Sequence, residues 1–181
     1  MSNQRASAPE PAVHNLFFAV RPPEDICTRI ADATASLPVG GKPLRRDRLH
    51  ISTLNLVQRD IVPPGLGEEA AEVAASIRCA PFTVMFDRLV AGTKSMLLVP
   101  SEPLDQLRMF RERLGFTLMR SGLPFRLEGQ FSPHVTLLYG NELTFETEID
   151  PIIWTVEEFV LIDSFVGKTK HVEVGRWPLR P

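Results

Sequence analysis

One pattern constrains this 181-residue chain more than any other: a short strand, a helix, and a second strand headed by a histidine, written twice. In the first copy Leu16-Phe17-Phe18-Ala19-Val20 reads as a buried strand. Pro22-Pro23 opens a helix, because proline suits a first helical turn, and Glu24 and Asp25 favour the same end through the helix dipole. Ile26, Ile30, Ala33 and Leu37 recur at helical spacing until Pro38 and Gly40-Gly41 stop the run. A basic stretch from Lys42 to Arg48 then leads into Leu49-His50-Ile51-Ser52-Thr53-Leu54. In the second copy Met96-Leu97-Leu98-Val99 is the strand. Pro103 starts a helix with Leu104, Leu107, Phe110, Leu114 and Leu118 on one face, and Gly122 caps it. Phe131-Ser132-Pro133-His134-Val135-Thr136-Leu137-Leu138-Tyr139 follows as the histidine strand. The histidine comes 34 residues after Leu16 in one copy and 38 after Met96 in the other.

Side chains two apart on a strand share a face. His50 therefore points with Ser52, and His134 with Thr136. Duplicated halves packed about a pseudo-two-fold axis bring such strands to either side of one groove. Two imidazoles and two hydroxyls are the parts needed for metal-free attack on a phosphodiester. One imidazole takes a proton from the attacking oxygen and the other gives one to the leaving oxygen. The hydroxyls and nearby cations hold the phosphate oxygens.

The remaining segments complete the sheets. Leu66, Ala70, Val73, Ala74 and Ile77 give a further helix, and Phe82 to Phe86 a strand. Residues 141–151 read as an acidic loop. Glu158 to Phe165 and His171 to Trp177 read as a closing pair of strands turned at Gly167-Lys168-Thr169-Lys170. Residues 1–13, rich in Ser, Ala and Pro, read as a flexible tail, and 14–181 as a single domain.

Composition narrows the function. The net charge of −2 gives no global basic field for nucleic acid, so any RNA contact is local. Arg45, Arg46 and Arg48, just before the His50 strand, are candidate contacts, as are Lys168 and Lys170 in the closing turn. Phe17 is a candidate base-stacking residue and Tyr139 a candidate for the groove rim. His171 reads as a surface strand residue. Two cysteines, Cys27 and Cys79, form no metal or redox motif, read as buried or bystander thiols, and suit a reducing cytoplasm. No apolar run approaches a membrane span. The four histidines, His14, His50, His134 and His171, are not paired at ligand spacing, so no metal and no cofactor is expected. Ser52 lacks the Gly-x-Ser-x-Gly elbow of a serine hydrolase.

His50-Ile51-Ser52 and His134-Val135-Thr136-Leu137, each after a strand-helix unit, resemble the paired HxTx motifs of the 2H phosphoesterase superfamily. Within it the chain is similar to the bacterial 2′-5′ RNA ligases, also described as RNA 2′,3′-cyclic phosphodiesterases. The resemblance runs from Leu16 to Leu179 and includes Leu16-Phe17-Phe18-Ala19 and Gly175-Arg176-Trp177-Pro178-Leu179. It implies a bilobal α+β fold, with an antiparallel sheet in each lobe around a central groove and helices outside. It also implies His50 as proton donor and His134 as proton acceptor. Ser52 stands where the family has threonine, and Thr53 where it has an apolar residue. The activity implied is opening of 2′,3′-cyclic phosphate at RNA ends to a 2′-phosphomonoester, with 2′-5′ joining as the reverse. Two alternatives stay open at this point: a phosphodiesterase for small cyclic nucleotides or 2′-5′ oligonucleotides, and a non-catalytic module that binds RNA ends.

Overall fold

The computed structural model describes residues 13–35, 37, 40–59, 61–126, 130–168 and 170–181. The expected tail, apart from Val13, lies outside the described residues, as do Pro38 and Thr169. The chain runs β1 (His14–Val20), α1 (Glu24–Ala35), β2 (Lys42–Pro43), a 3₁₀ turn (Arg46–Arg48), β3 (Ile51–Arg59), α2 (Leu66–Ala75), β4 (Phe82–Ala91), β5 (Ser95–Val99), α3 (Asp105–Arg120), β6 (Val135–Tyr139), β7 (Phe145–Val156), β8 (Glu158–Phe165) and β9 (Lys170–Pro178).

These strands form two sheets, ordered β3-β1-β8-β9 and β2-β6-β5-β4-β7. Neighbours are antiparallel throughout. Without the two-residue edge strand β2 the orders superimpose. The histidine-headed strand (β3 or β6) flanks the strand that opens its unit (β1 or β5), and a long pair completes the sheet (β8-β9 or β4-β7). The duplication read from the sequence is therefore a duplication of sheet topology.

One expectation is corrected. The acidic stretch 141–151 is not a loop throughout, because β7 begins at Phe145. Its charges at Glu146, Glu148 and Asp150 are exposed, while Phe145, Thr147 and Ile149 between them are partly covered. That alternation is the period of a strand. β7 is an edge of its sheet, and charge on an edge strand guards against pairing with other chains. Both histidine strands are also shorter at the start than read: β3 begins at Ile51 and β6 at Val135, one residue after each histidine.

The helices cover the sheets and join the lobes. α3 packs on both β3 and β4, and α1 packs on β7 of the other sheet. α3 buries Leu107, Phe110, Leu114 and Leu118 and ends where Gly122 takes a left-handed φ of 72°, which glycine adopts without steric cost. Phe110 lies 5.8 Å from Phe82 of β4 and 5.1 Å from Phe159 of β8, and Phe159 lies 6.1 Å from Phe18 of β1. This aromatic chain runs from one sheet to the other within one cluster of buried residues. Such contacts contribute about 0.5–1.5 kcal/mol each beyond the area they bury. Gly175 of β9 permits a close approach: a Cβ there would sit 2.5 Å from the Trp177 ring, which would have to shift.

Candidate active site

β1 presents opposite faces to two environments. Leu16, Phe18 and Val20 enter the main core. Phe17 and Ala19 point the other way and form a small separate cluster with Val160 and Ile162 of β8. His50 lies over that second cluster, its ring 5.1 Å from Phe17. Beyond it Ile51 is buried, Ser52 exposed and Thr53 buried again, so Ser52 opens on the face away from the core. Thr53 is 3 % exposed, and its hydroxyl has no hydrogen-bond partner among the described residues.

The two histidines are held by the same device. His50 Nδ1 donates to the Arg48 carbonyl at 2.7 Å, and His134 Nδ1 donates to the Ser132 carbonyl at 2.9 Å. A carbonyl only accepts, so each neutral ring carries its proton on Nδ1 and leaves Nε2 with a lone pair. The carbonyl is in each case two residues upstream. Thr136 follows His134 as Ser52 follows His50. It is half-buried between the buried Val135 and Leu137.

The two motifs come together in space. Ser52 of the first sheet and His134 of the second line one cleft of about 160 Å³, with Asn55, Arg111, Arg126 and Phe131. Burial pushes His50 down to about 4. The Arg48 carbonyl opposes that shift, and the positive fields of Arg21, His134 and Arg48 add to it.

Three further groups frame His50, and sequence reasoning missed two of them. His171 of β9, expected at the surface, has its ring 5.6 Å from His50 and edge-on to it. Its Nε2 accepts a hydrogen bond from Arg48 Nη2 at 2.9 Å. Burial first, then Arg48, His50 and Arg21, push His171 down to about 4. Arg21, the residue after β1, is paired with Glu173 at 2.8 Å. Arg48, a candidate from the sequence, is half-buried. On the His134 side, Arg111 of α3 donates through Nε to the Thr53 carbonyl at 2.8 Å and lies 4.8 Å over the Phe131 ring. No local sequence signal marks His171, Arg21 or Arg111, because each is brought in by an element remote in the chain.

The other sequence candidates divide. Arg45 is exposed and paired with Asp47 at 2.7 Å. It lines a cleft with Arg21, Arg48, Lys170 and His171. Arg46 turns instead to α1, donating to the Thr28 hydroxyl at 3.2 Å. Phe17 is 2 % exposed and supports the His50 ring from beneath, which leaves no free face for a base to stack on. Lys170 lines the cleft beside His171, with Nζ 4.8 Å over the Phe165 ring. Lys168 is exposed in the turn. Tyr139 is 56 % exposed at the end of β6, opposite Lys42 of the edge strand. Among the described residues no three His, Cys, Asp or Glu side chains are grouped to hold a metal ion, and no helix is long and apolar enough to cross a membrane.

Known proteins share this architecture. A crystal structure described as a phosphoesterase superimposes with a TM-score of 0.76 at 25 % identity, covering 95 % of this chain and 100 % of that one. Escherichia coli LigT complexed with 3′-AMP gives 0.76 at 27 % identity, covering 93 % and 99 %. TT0787 of Thermus thermophilus gives 0.72 at 21 % identity over 92 % and 98 %, which bears on the fold alone. No curated protein matches the sequence. The family model described as the 2′-5′ RNA ligase superfamily matches residues 22–165, a span holding both histidine motifs and most of both sheets, and the chain belongs to that superfamily.

Proposed function

We propose that this protein hydrolyses the 2′,3′-cyclic phosphodiester at RNA ends to a 2′-phosphomonoester without a metal ion, and that the same groups run backward join 2′-5′ ends. Family and fold make it an enzyme of phosphoesterase or ligase type. The observation that supports the finer reading is the duplicated histidine: each imidazole is tied through Nδ1 to the carbonyl two residues upstream, which leaves Nε2 with a lone pair, and His134 shares a cleft with Ser52 of the His50 strand.

In this reading His134 Nε2 takes a proton from water as its oxygen attacks phosphorus. The bond from phosphorus to O3′ breaks, and His50 Nε2 delivers its proton to O3′. Ser52 and Thr136 donate hydrogen bonds to the non-bridging oxygens as charge grows on them. The low pKa of His50 in the free enzyme, about 4, sets a condition on this scheme. At neutral pH the free enzyme holds His50 neutral, so the donor must gain its proton as the substrate binds. An anionic phosphodiester supplies the cause, since a negative charge beside an imidazole favours its charged form.

The neighbouring LigT complex with 3′-AMP supports nucleotides as ligands of this fold and keeps a small-nucleotide substrate as the second reading. The test is turnover of an oligonucleotide ending in 2′,3′-cyclic phosphate, in excess EDTA, with the product phosphate position assigned. A 2′-phosphate product is expected. Activity lost on chelation and restored by Mg²⁺ or Zn²⁺ rejects the metal-free mechanism. Turnover of cyclic mononucleotides alone favours the second reading.

A further inference from the structure

The scissile phosphate needs the groups between the two histidines, yet a dense cluster of cations lies beside them. Next to His50 is an open cleft of about 330 Å³ lined by Arg21, Arg45, Arg48, Lys170, Asp47, His171 and Glu173. That volume falls in the range of small-ligand sites. Four cations face two carboxylates there. Each carboxylate is already engaged: Asp47 with Arg45 and Glu173 with Arg21, both pairs within 2.8 Å. Glu173 also bonds Arg176.

Arg48 and Lys170 take no part in these pairs, and of the two Arg48 is the more enclosed. It is half-buried, and no carboxylate pairs with it among the described residues. Its Nη2 is held by His171 Nε2. A guanidinium only donates, so this imidazole nitrogen must carry a lone pair and the ring must be neutral. A neutral partner orients the guanidinium without cancelling its charge. The Arg48 Nε, the Arg21 Nε and the His171 Nδ1 are likewise buried without a partner among the described residues. A half-buried cation without a counter-charge is costly, and guanidinium is the side chain best shaped to bind phosphate.

We propose that this cleft is a second phosphate site, which binds a phosphate of the substrate other than the one attacked. At an RNA end that group is the phosphate on the 5′ oxygen of the terminal nucleotide. The inference rests on the cyclic phosphodiesterase reading for its substrate but not for its anion. It also couples to the chemistry. A phosphate here offsets the fields of Arg21 and Arg48, two of the influences that keep His50 neutral, and so helps the donor take up its proton. A second phosphate then raises kcat as well as lowering KM.

Two measurements test the site. The first compares kcat/KM for a nucleoside 2′,3′-cyclic phosphate with a free 5′-hydroxyl, the same compound with a 5′-phosphate, and a dinucleotide with an internal phosphodiester. The 5′-phosphorylated compound and the dinucleotide are expected to be preferred by about 10-fold to 100-fold, the effect of a charge-assisted hydrogen bond. Arg48→Gln keeps the carbonyl that holds His50 and should erase most of that preference. Lys170→Gln, at an exposed position, should reduce it by a smaller factor. Preference for only one of the two shows whether the site takes a terminal or an internal phosphate. Equal kcat/KM for all three substrates overturns the proposal.

The second measurement needs no turnover. Inorganic phosphate is titrated against the protein while the His171 and His134 ring signals are followed by NMR. His171 should shift, and its titration should move up from about 4. Both effects should vanish in Arg48→Gln while His134 still responds. A silent His171 beside a responsive His134 overturns the second site and leaves the proposed reaction standing. A responsive His171 in a protein that turns over none of the three substrates upholds the phosphate site and rejects the reaction.

Discussion

The two histidine-headed strands use one backbone device in two electrostatic settings. On both sides a histidine stands one residue before a strand, its Nδ1 tied to the carbonyl two residues upstream and a hydroxyl two residues downstream. The surroundings differ. His50 is packed between Phe17 and His171 with Arg21 and Arg48 close enough to lower its pKa. His134 lies in a cleft with Ser52 and Arg111, its loop lying over the sheet-joining helix α3 through the Arg111–Phe131 contact. Duplication thus supplies two imidazoles held in the same way, and what is packed around each sets its electrostatic environment; the donor and acceptor roles proposed above rest on that difference.

The strongest way to break that comparison is to remove one imidazole at a time. His50→Ala and His134→Ala are each expected to lose about 10²- to 10⁴-fold in kcat/KM, the range for general acid or base catalysis. A substrate with a good leaving group, such as a nitrophenolate, needs little protonation as it departs. It should rescue His50→Ala far more than His134→Ala. Equal rescue of the two, or rescue of His134→Ala alone, would reverse the assignment of donor and acceptor.

The pH dependence sharpens the comparison next. In the proposed mechanism an anionic substrate raises the His50 pKa, so the alkaline limb of kcat should lie at higher pH than that of kcat/KM, which reports the free enzyme. Coincident alkaline limbs would mean that substrate does not charge His50. Stability follows the same groups. His50 and His171 have folded pKa values of about 4 against 6.5, so the unfolded chain takes up their protons first. Their contribution is whole above pH 6.5 and is lost as pH falls towards 4. The fall in Tm over that window should be shallower in His171→Gln. An unchanged slope would remove His171 from the account.

Smaller effects compare the strands themselves. Ser52→Ala and Thr136→Ala should each cost about 1–3 kcal/mol of transition-state stabilisation, the range for a hydrogen bond to a charged group, and Ser52→Thr should be close to neutral. Full activity in a folded Ser52→Ala protein would show that the hydroxyl does not reach phosphate. Position 53 is where the two strands part. Leu137 is its counterpart on β6, whereas Thr53 buries a hydroxyl that has no partner among the described residues. Thr53→Val should therefore raise stability by about 1 kcal/mol in a denaturant titration, with activity unchanged. Arg46→Gln closes the series with no expected change in kcat/KM, because its guanidinium is turned to Thr28. A loss there as large as that of Arg48→Gln would show that the basic stretch acts as a whole.

The sequence by itself determined the elements that repeat and the residues proposed here to carry chemistry. Helical spacing placed α1, α2 and α3, and two-residue alternation placed Ser52 and Thr136 on open strand faces, because both are local geometry fixed by backbone periods. The same rule, applied to 141–151, failed by weighing charge above alternation, since an edge strand tolerates charge on its outer face. Only the tertiary structure decided what stands around each histidine. His171 is 121 residues from His50 in the chain and reaches it because β8 pairs with β1 and carries β9 alongside. Arg111 reaches the groove because α3 packs across to β3. The field at His50 is a sum over groups from distant segments in a partly dry space, and no local pattern in a sequence encodes that sum.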